Sequence, residues 1–267
     1  MKTVRLILIP LLFLVLPTLC FAQSEKEGFV QTMTFKPGIG FEYFNREVNI
    51  FSKNEDGEWV EDEADSRLKS YFLTLSLEFG LQAGFTFTPI IGYSVSDYDS
   101  LIFRKLPFSI ELDVGGINGY LIGAELKKSL ISAQDFEIGA AGQIMYYAGR
   151  KQEWSVPGLN VEGSIQGRPY WLRGTIGPVI EYKGFDSVFP YLSVSYNRLW
   201  GKFTLEQEIL DLTGEEEKKV TGKGAVVLSP GVIYELTGAL TLKGEASVIP
   251  RKGGIDFGAL VRVMLSL

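Results

Sequence analysis

The segment Ser70–Phe79, SYFLTLSLEF, decides the fold. Tyr71, Leu73, Leu75, Leu77 and Phe79 occupy every second position, alternating with Ser70, Phe72, Thr74, Ser76 and Glu78. A period of two puts the first set on one face of an extended strand and the second set on the other. One face is oily and the other mostly polar, over a length unusual for a soluble strand.

The same alternation recurs outward along the chain. Phe85, Phe87, Pro89, Ile91 and Tyr93 oppose Thr86, Thr88, Gly92 and Ser94, and Phe136, Ile138, Ala140, Ile144 and Tyr146 oppose Glu137, Gly139, Gln143 and Tyr147. Val226, Leu228, Val232 and Tyr234 share a face, as do Phe257, Ala259, Val261, Val263, Leu265 and Leu267 in the last run. These patterns predict about ten strands. They fall near 33–49, 68–79, 83–94, 117–130, 136–149, 167–182, 188–209, 218–234, 240–250 and 255–267. Links at 80–82, 131–135, 183–187 and 235–239 are short and alternate with longer ones at 50–67, 95–116, 150–166 and 210–217. The last link on the long side, 251–254, is a tight hairpin carrying Gly253-Gly254.

Charged residues fall inside these strands, opposite the oily face. A soluble sandwich turns its oily face inward, whereas a membrane barrel turns it outward and lines its interior with polar groups. Tyr43, Tyr71, Phe79, Phe85, Tyr93, Phe136, Tyr146, Tyr170 and Tyr182 lie near the ends of their apolar stripes, where membrane girdles would form. The expected fold is all-β: a single antiparallel transmembrane β-barrel of about ten strands.

The first residues, MKTVRLILIPLLFLVLPTLCFA, set Lys2 and Arg5 before an apolar run, with Cys20 and Ala22 as small residues at its end. That order predicts a secretory signal peptide over 1–22, cleaved after Ala22, and a barrel domain over 23–267. Pro10 and Pro17 interrupt the run, which is too short for a spanning helix. The single cysteine of the 267-residue chain lies in this leader, so the mature protein is expected to have no disulfide. The chain has no histidine, which removes the commonest general base and the commonest transition-metal ligand. A formal charge of −6 argues against nucleic acid as partner. No nucleophile elbow, phosphate-binding loop or paired-cysteine metal motif is present, so no catalytic residue, cofactor or metal site is expected.

By this pattern the mature chain resembles the small bacterial outer-membrane β-barrel proteins. The resemblance implies the bacterial outer membrane as location, both termini in the periplasm and long loops outside. It also implies contact with membrane lipid and lipopolysaccharide, delivery by the barrel-assembly machinery, and a monomer. In that class the last strand commonly closes on an aromatic residue; here GALVRVMLSL ends on Leu267 and keeps only the spacing.

If the oily face meets lipid, Glu42, Arg46, Arg173, Lys223, Glu245 and Arg262 point into the lumen with both signs mixed. Such charges are expected to pair across the barrel, because an unpartnered buried charge is costly. Bulky Phe72, Tyr147 and Trp171 are expected inside as well, and a ten-strand barrel lies near the closed end of the size range. The first outer loop carries Glu55, Asp56, Glu58, Glu61, Asp62, Glu63 and Asp65 around Trp59, a run expected to be a solvated surface, with cation bridging to lipopolysaccharide as the sharper alternative. The function expected is envelope structure or surface binding through the outer loops. A narrow pore for ions or small solutes is the alternative, and a soluble β-protein the third reading.

Overall fold

A computed structural model describes residues 35–62, 66–99, 101–103, 110–112, 115–155, 163–209 and 212–266. The leader 1–22, Glu63, Asp65 and Leu267 lie outside the described residues.

The alternating runs are strands. In chain order they are β1 (Phe35–Lys53), β2 (Trp59–Glu61), β3 (Ser66–Gly80), β4 (Phe85–Tyr98), β5 (Leu101–Phe103), β6 (Ile110–Leu112), β7 (Ile117–Ala133) and β8 (Phe136–Gly149). They continue as β9 (Gln152–Ser155), β10 (Gly163–Tyr182), β11 (Val188–Ile209), β12 (Leu212–Gly222), β13 (Val226–Thr237), β14 (Leu240–Arg251) and β15 (Gly254–Leu265). Ten of them, β1, β3, β4, β7, β8, β10, β11, β13, β14 and β15, pair antiparallel in succession, and the ring closes from Gly38↔Met264 to Asn45↔Phe257. Closure leaves no unpaired edge, which is what a sheet surrounded by lipid requires.

Burial follows the inverted pattern. Along β3, Ser66, Leu68, Ser70, Phe72, Thr74 and Ser76 are buried, while Tyr71, Leu73 and Leu75 are exposed. Ile39, Ile91, Ile122, Ile144 and Ile176 continue the outer oily band around the ring. Aromatic rings edge it on both sides. Tyr43 packs on Tyr71 and Phe257 toward the long-loop end, and Phe136, Tyr182 and Phe185 pack together at the short-turn end. In β1, β3 and β4 the two girdles are eight residues apart (Phe35 and Tyr43, Tyr71 and Phe79, Phe85 and Tyr93). That is about 27 Å along a strand, or ~20 Å across the membrane once strand tilt is included.

The wall has a step. The β14–β15 hairpin turns at Arg251–Gly254, while β1, β3, β10 and β11 continue past it. Beyond the hairpin β12 pairs directly with β1, from Val48↔Gly222 to Phe51↔Lys219, so the outer tier closes with two strands fewer, eight in place of ten. The predicted strand at 218–234 and loop at 210–217 need correction here: strand resumes at Leu212, and the run is broken between Gly222 and Val226, where Gly224 takes φ 74°. The charge-dense Glu215-Glu216-Glu217 looks like a loop in sequence, but pairing with the far end of β11 makes it strand.

Strand number sets what the interior can hold. An eight-strand ring leaves room mainly for side chains. The outer tier is filled by Val48, Leu68, Phe72, Tyr98, Phe103, Ile117, Tyr147, Ile165, Trp171, Phe203, Leu205 and Val220, all fully buried. Trp171 stacks on Tyr147 at 5.3 Å and meets Phe72 and Phe44 at 5.6 and 5.7 Å, and Phe203 meets Tyr98 and Phe103 at 5.7 and 5.8 Å. These tilted and edge-on contacts are the arrangements aromatic rings prefer.

Candidate functional site

Below this plug the ten-strand tier encloses a cavity of about 160 Å³. Its lining includes four cations, Arg46, Arg173, Lys127 and Lys243, and four carboxylates, Glu42, Glu125, Glu181 and Glu245. They pair across the lumen. Arg173 Nη2 lies 2.6 Å from Glu42, Lys127 Nζ 2.8 Å from Glu181, and Lys243 4.0 and 3.9 Å from Glu125 and Glu245. Arg262, also buried, reaches Glu125 at 3.6 Å, and the Tyr191 hydroxyl donates to Glu245 at 2.7 Å. The guanidinium of Arg173 rests under the plug, 5.4 Å from the Phe44 ring and 5.8 Å from that of Phe72, close enough for cation–π attraction.

Arg46 has a different task. Its Nε donates to the Lys223 carbonyl at 3.0 Å, one terminal nitrogen to Asn197 Oδ1 and the other to the Gly224 carbonyl. These carbonyls are freed where the ladder breaks between β12 and β13, and a buried free carbonyl must find a donor. Gly222 makes room, since a Cβ there would come within 2.5 Å of the guanidinium carbon.

Lys223, expected in the lumen, does not line it. It sits in the strand break, its ammonium 2.8 Å from Glu47, because the two glycines flanking it interrupt the inside–outside alternation. It belongs to a charged seam where β1 leaves β15 for β12. There Asp256, fully buried, accepts the Glu47 N–H at 2.9 Å and holds Arg67 at 2.9 Å and Arg251 at 3.2 Å, while Arg251 also reaches Glu47 at 2.6 Å. Nothing in the alternation singles out Glu47, Arg67, Arg251 or Asp256. The signal that could have found the seam is Gly222-Lys223-Gly224 inside an otherwise regular strand.

In the acidic loop after β1, β2 folds back on β1 from Lys53↔Trp59 to Phe51↔Glu61. Lys53 lies over the Trp59 ring at 5.1 Å. Glu55, Asp56, Glu58 and Glu61 face solvent. Asp62 turns inward and contacts Lys218 at 3.0 Å and Ser52 at 2.6 Å, so it anchors the loop to β12 and β1. Among the described residues no cluster of three or more carboxylate, histidine or cysteine side chains is arranged to hold a metal ion.

A closed antiparallel wall, an oily outer face, two aromatic girdles and a charge-paired interior define a transmembrane β-barrel of the bacterial outer-membrane class. No family model matches the chain, and no curated protein does. Among solved structures it is similar to the outer membrane protease OmpT from Escherichia coli, with 11% identity over 91% of this chain and 97% of that one and a TM-score of 0.48. It is similar also to the translocator domain of autotransporter NalP from Neisseria meningitidis, with 10% identity, 94% and 93% coverage and a TM-score of 0.42. A third is Ail, the attachment invasion locus protein of Yersinia pestis, in complex with the heparin analogue sucrose octasulfate, with 11% identity, 88% and 99% coverage and a TM-score of 0.34. At such distances no activity carries over from them.

Proposed function

We propose that this chain is a monomeric, non-conducting barrel of the bacterial outer membrane that acts through its long-loop end, in surface binding or envelope integrity. In this reading the leader 1–22 is removed during export, the short turns face the periplasm, and the loops face outward among lipopolysaccharide. The observation that carries it is the apolar plug. A pore would have to pass Phe72, Tyr147, Trp171 and Phe203, all fully buried in the eight-strand tier.

The form of the outer tier supports a surface role. From Trp200, exposed at the girdle, β11 runs a further nine residues to Ile209. That is about 30 Å along the strand, so the wall stands above the membrane as a packed turret. A rigid turret presents its loops at low entropic cost to a partner. The reading is non-catalytic, since the chain has no histidine and each cavity carboxylate is held by a cation or a tyrosine.

Single-channel recording of the refolded full chain in planar bilayers tests the proposal. The expected record is silent, from a barrel that is folded by its shifted mobility in unheated gel samples. Stepwise conductance that changes on Arg173→Ala would overturn it in favour of a narrow pore.

A further inference from the structure

The outward-facing cations are not spread evenly around the wall. On β3 each has a carboxylate of its own: Lys69 lies 2.9 Å from Asp99, and Arg67 lies 2.9 Å from Asp256. The face made by the long-loop ends of β8, β10, β11 and β12 is different. Lys202 and Lys219 are ladder partners across β11 and β12, and Tyr170 is the β10 partner of Lys202, which sets Arg168 diagonal to Lys202. The β8–β10 ladder ends at Ala148↔Tyr170 and β9 takes over at Gln152↔Gly167, so Arg150 comes beside Arg168. Arg168, Lys202 and Lys219 each stand between two buried neighbours and point out of the wall, and Arg150 lies over the exposed Tyr120 ring at 5.0 Å. Among the described residues the one carboxylate paired with any of these four is Glu217, 2.8 Å from Lys202. Arg168 has no hydrogen bond or ion pair with a described residue, and Lys219 has only the Phe51 ring at 5.8 Å. Like charges set opposite one another weaken a sheet unless something neutralises them.

Their height says which anion is within reach. Lys202 is two residues past Trp200 on β11, and Arg168 is two past Tyr170 on β10. Two residues are about 7 Å along a strand, or ~5 Å above the aromatic girdle once tilt is included. The polar layer on each side of a bilayer is roughly 5–8 Å deep, so these cations stand among lipid headgroups. Arg198 lies one same-face position on the membrane side of Trp200, exposed, with no hydrogen bond or ion pair to a described residue. A lipid-facing cation without a partner is costly, and the anion available at that depth is a headgroup phosphate. Farther from the girdle on the same face Glu206, Glu208 and Glu215 are exposed. An anion from bulk water meets those carboxylates first, whereas a headgroup anchored in the leaflet comes in beneath them. We propose that this face is a binding site for a phosphorylated glycolipid of the outer leaflet, whose phosphates lie against Arg150, Arg168 and Lys219, with Arg198 below. The four strand positions span about 14 Å, wider than one phosphate bridges, so the ligand carries more than one. The inference rests on the reading that the long-loop end faces outward, and it gives that end a defined lipid partner.

The test is native mass spectrometry of the full chain, refolded in detergent micelles and titrated with a short-core lipopolysaccharide, with the same lipid stripped of its phosphates, and with inorganic phosphate as competitor. The phosphorylated lipid is expected to form a one-to-one adduct, and the stripped lipid to bind about tenfold more weakly as the charge-assisted bonds are lost. Arg168→Gln combined with Lys219→Gln should weaken the adduct about 25-fold, at about fivefold for each basic residue at an anionic membrane surface. Lys69→Gln, on the paired β3 face, should leave it unchanged. Equal affinity for the two lipids overturns the proposal, as does an unchanged titration in the double variant. Displacement of the lipid by millimolar phosphate makes this a site for the free anion and overturns the lipid as its ligand. If the double variant does not fold, Arg198→Gln decides, and wild-type affinity there overturns the proposal. Orientation is measured separately, by labelling Asp56→Cys in intact cells with a membrane-impermeant maleimide. No labelling overturns the outward reading together with this one; labelling without selective lipid binding overturns this one alone.

Discussion

The two tiers of this barrel share the long strands of one wall and differ by a single hairpin. Where β14 and β15 are present the ring has ten strands, and its interior is a cavity lined by paired charges. Above Arg251–Gly254 it has eight, and its interior is packed with aromatic and branched side chains around the buried Lys218–Glu216 pair. The same inward parity supplies both: along β10, Trp171 fills the plug, Arg173 caps the cavity, and Thr175 lines it. The length of one hairpin therefore sets where a membrane barrel stops being hollow. The change also costs an irregular seam, because strands that part must re-satisfy the backbone groups they expose.

Truncation inside each tier tests this difference most directly. Trp171→Ala removes the side chain that joins Phe44, Phe72 and Tyr147. It should lower stability by about 3–5 kcal/mol, the usual cost of deleting a large buried aromatic. Val227→Ala, at the wall of the hollow tier, removes contacts on one side only and should cost about 1 kcal/mol or less. Urea unfolding of the barrel in lipid vesicles, followed by gel mobility because the first variant loses a fluorophore, measures both. Equal losses would mean that the plug is no better packed than the cavity wall.

The seam between the tiers should be intermediate. Asp256→Ala leaves Arg67, Arg251 and the Glu47 N–H to find new partners. Loss of one member of a buried ion pair costs about 3–5 kcal/mol; here about 2–3 kcal/mol is expected, because Arg67 keeps a third of its surface in water. Asp256→Asn retains an oxygen for the Glu47 amide and should cost less than Asp256→Ala in the same unfolding assay. The opposite order would show that the charge matters less than the packing of the side chain.

Much of the wall was legible in sequence because lipid enforces a strict period of two, and a one-residue slip would turn every side chain to the wrong side. The strands at 136–149 and 188–209 fall at their predicted limits. Glu42, Arg173, Glu245 and Arg262 lie inside for the same reason. The step in the wall was not legible. It depends on β12 pairing with β1, strands separated by most of the chain, and local pattern carries no record of which distant strand is the neighbour. The alternation also misplaces Lys223, whose flanking glycines break it, and reads 215–217 as loop although Glu216 is buried against Lys218. The polar row at Gln143, Thr175 and Asn197 is likewise hidden, since only lateral register brings these residues together.

The smallest effect should come from the short-turn rim, where the ion pairs meet water. Lys183, in the turn after β10, donates to Glu137 and lies 3.8 Å from Glu181. Burial alone would lower the pKa of its ammonium, but the pairing with Glu137 outweighs that and raises it above the usual lysine value of 10.5. A group raised on folding stabilises the fold fully below its unfolded pKa and loses that contribution as pH rises through the folded value. Lys183→Met should therefore change stability by less than about 1 kcal/mol at neutral pH, given how exposed the side chain is. The difference from wild type should shrink further in high salt and fall off as pH rises above 10.5, disappearing once it passes the raised folded value and the wild-type ammonium deprotonates. Unfolding midpoints at pH 8 and pH 11, with and without added salt, give the comparison. A loss of the same size at pH 8 and pH 11 would assign the contribution of Lys183 to its methylenes, packed over the rim, rather than to its charge.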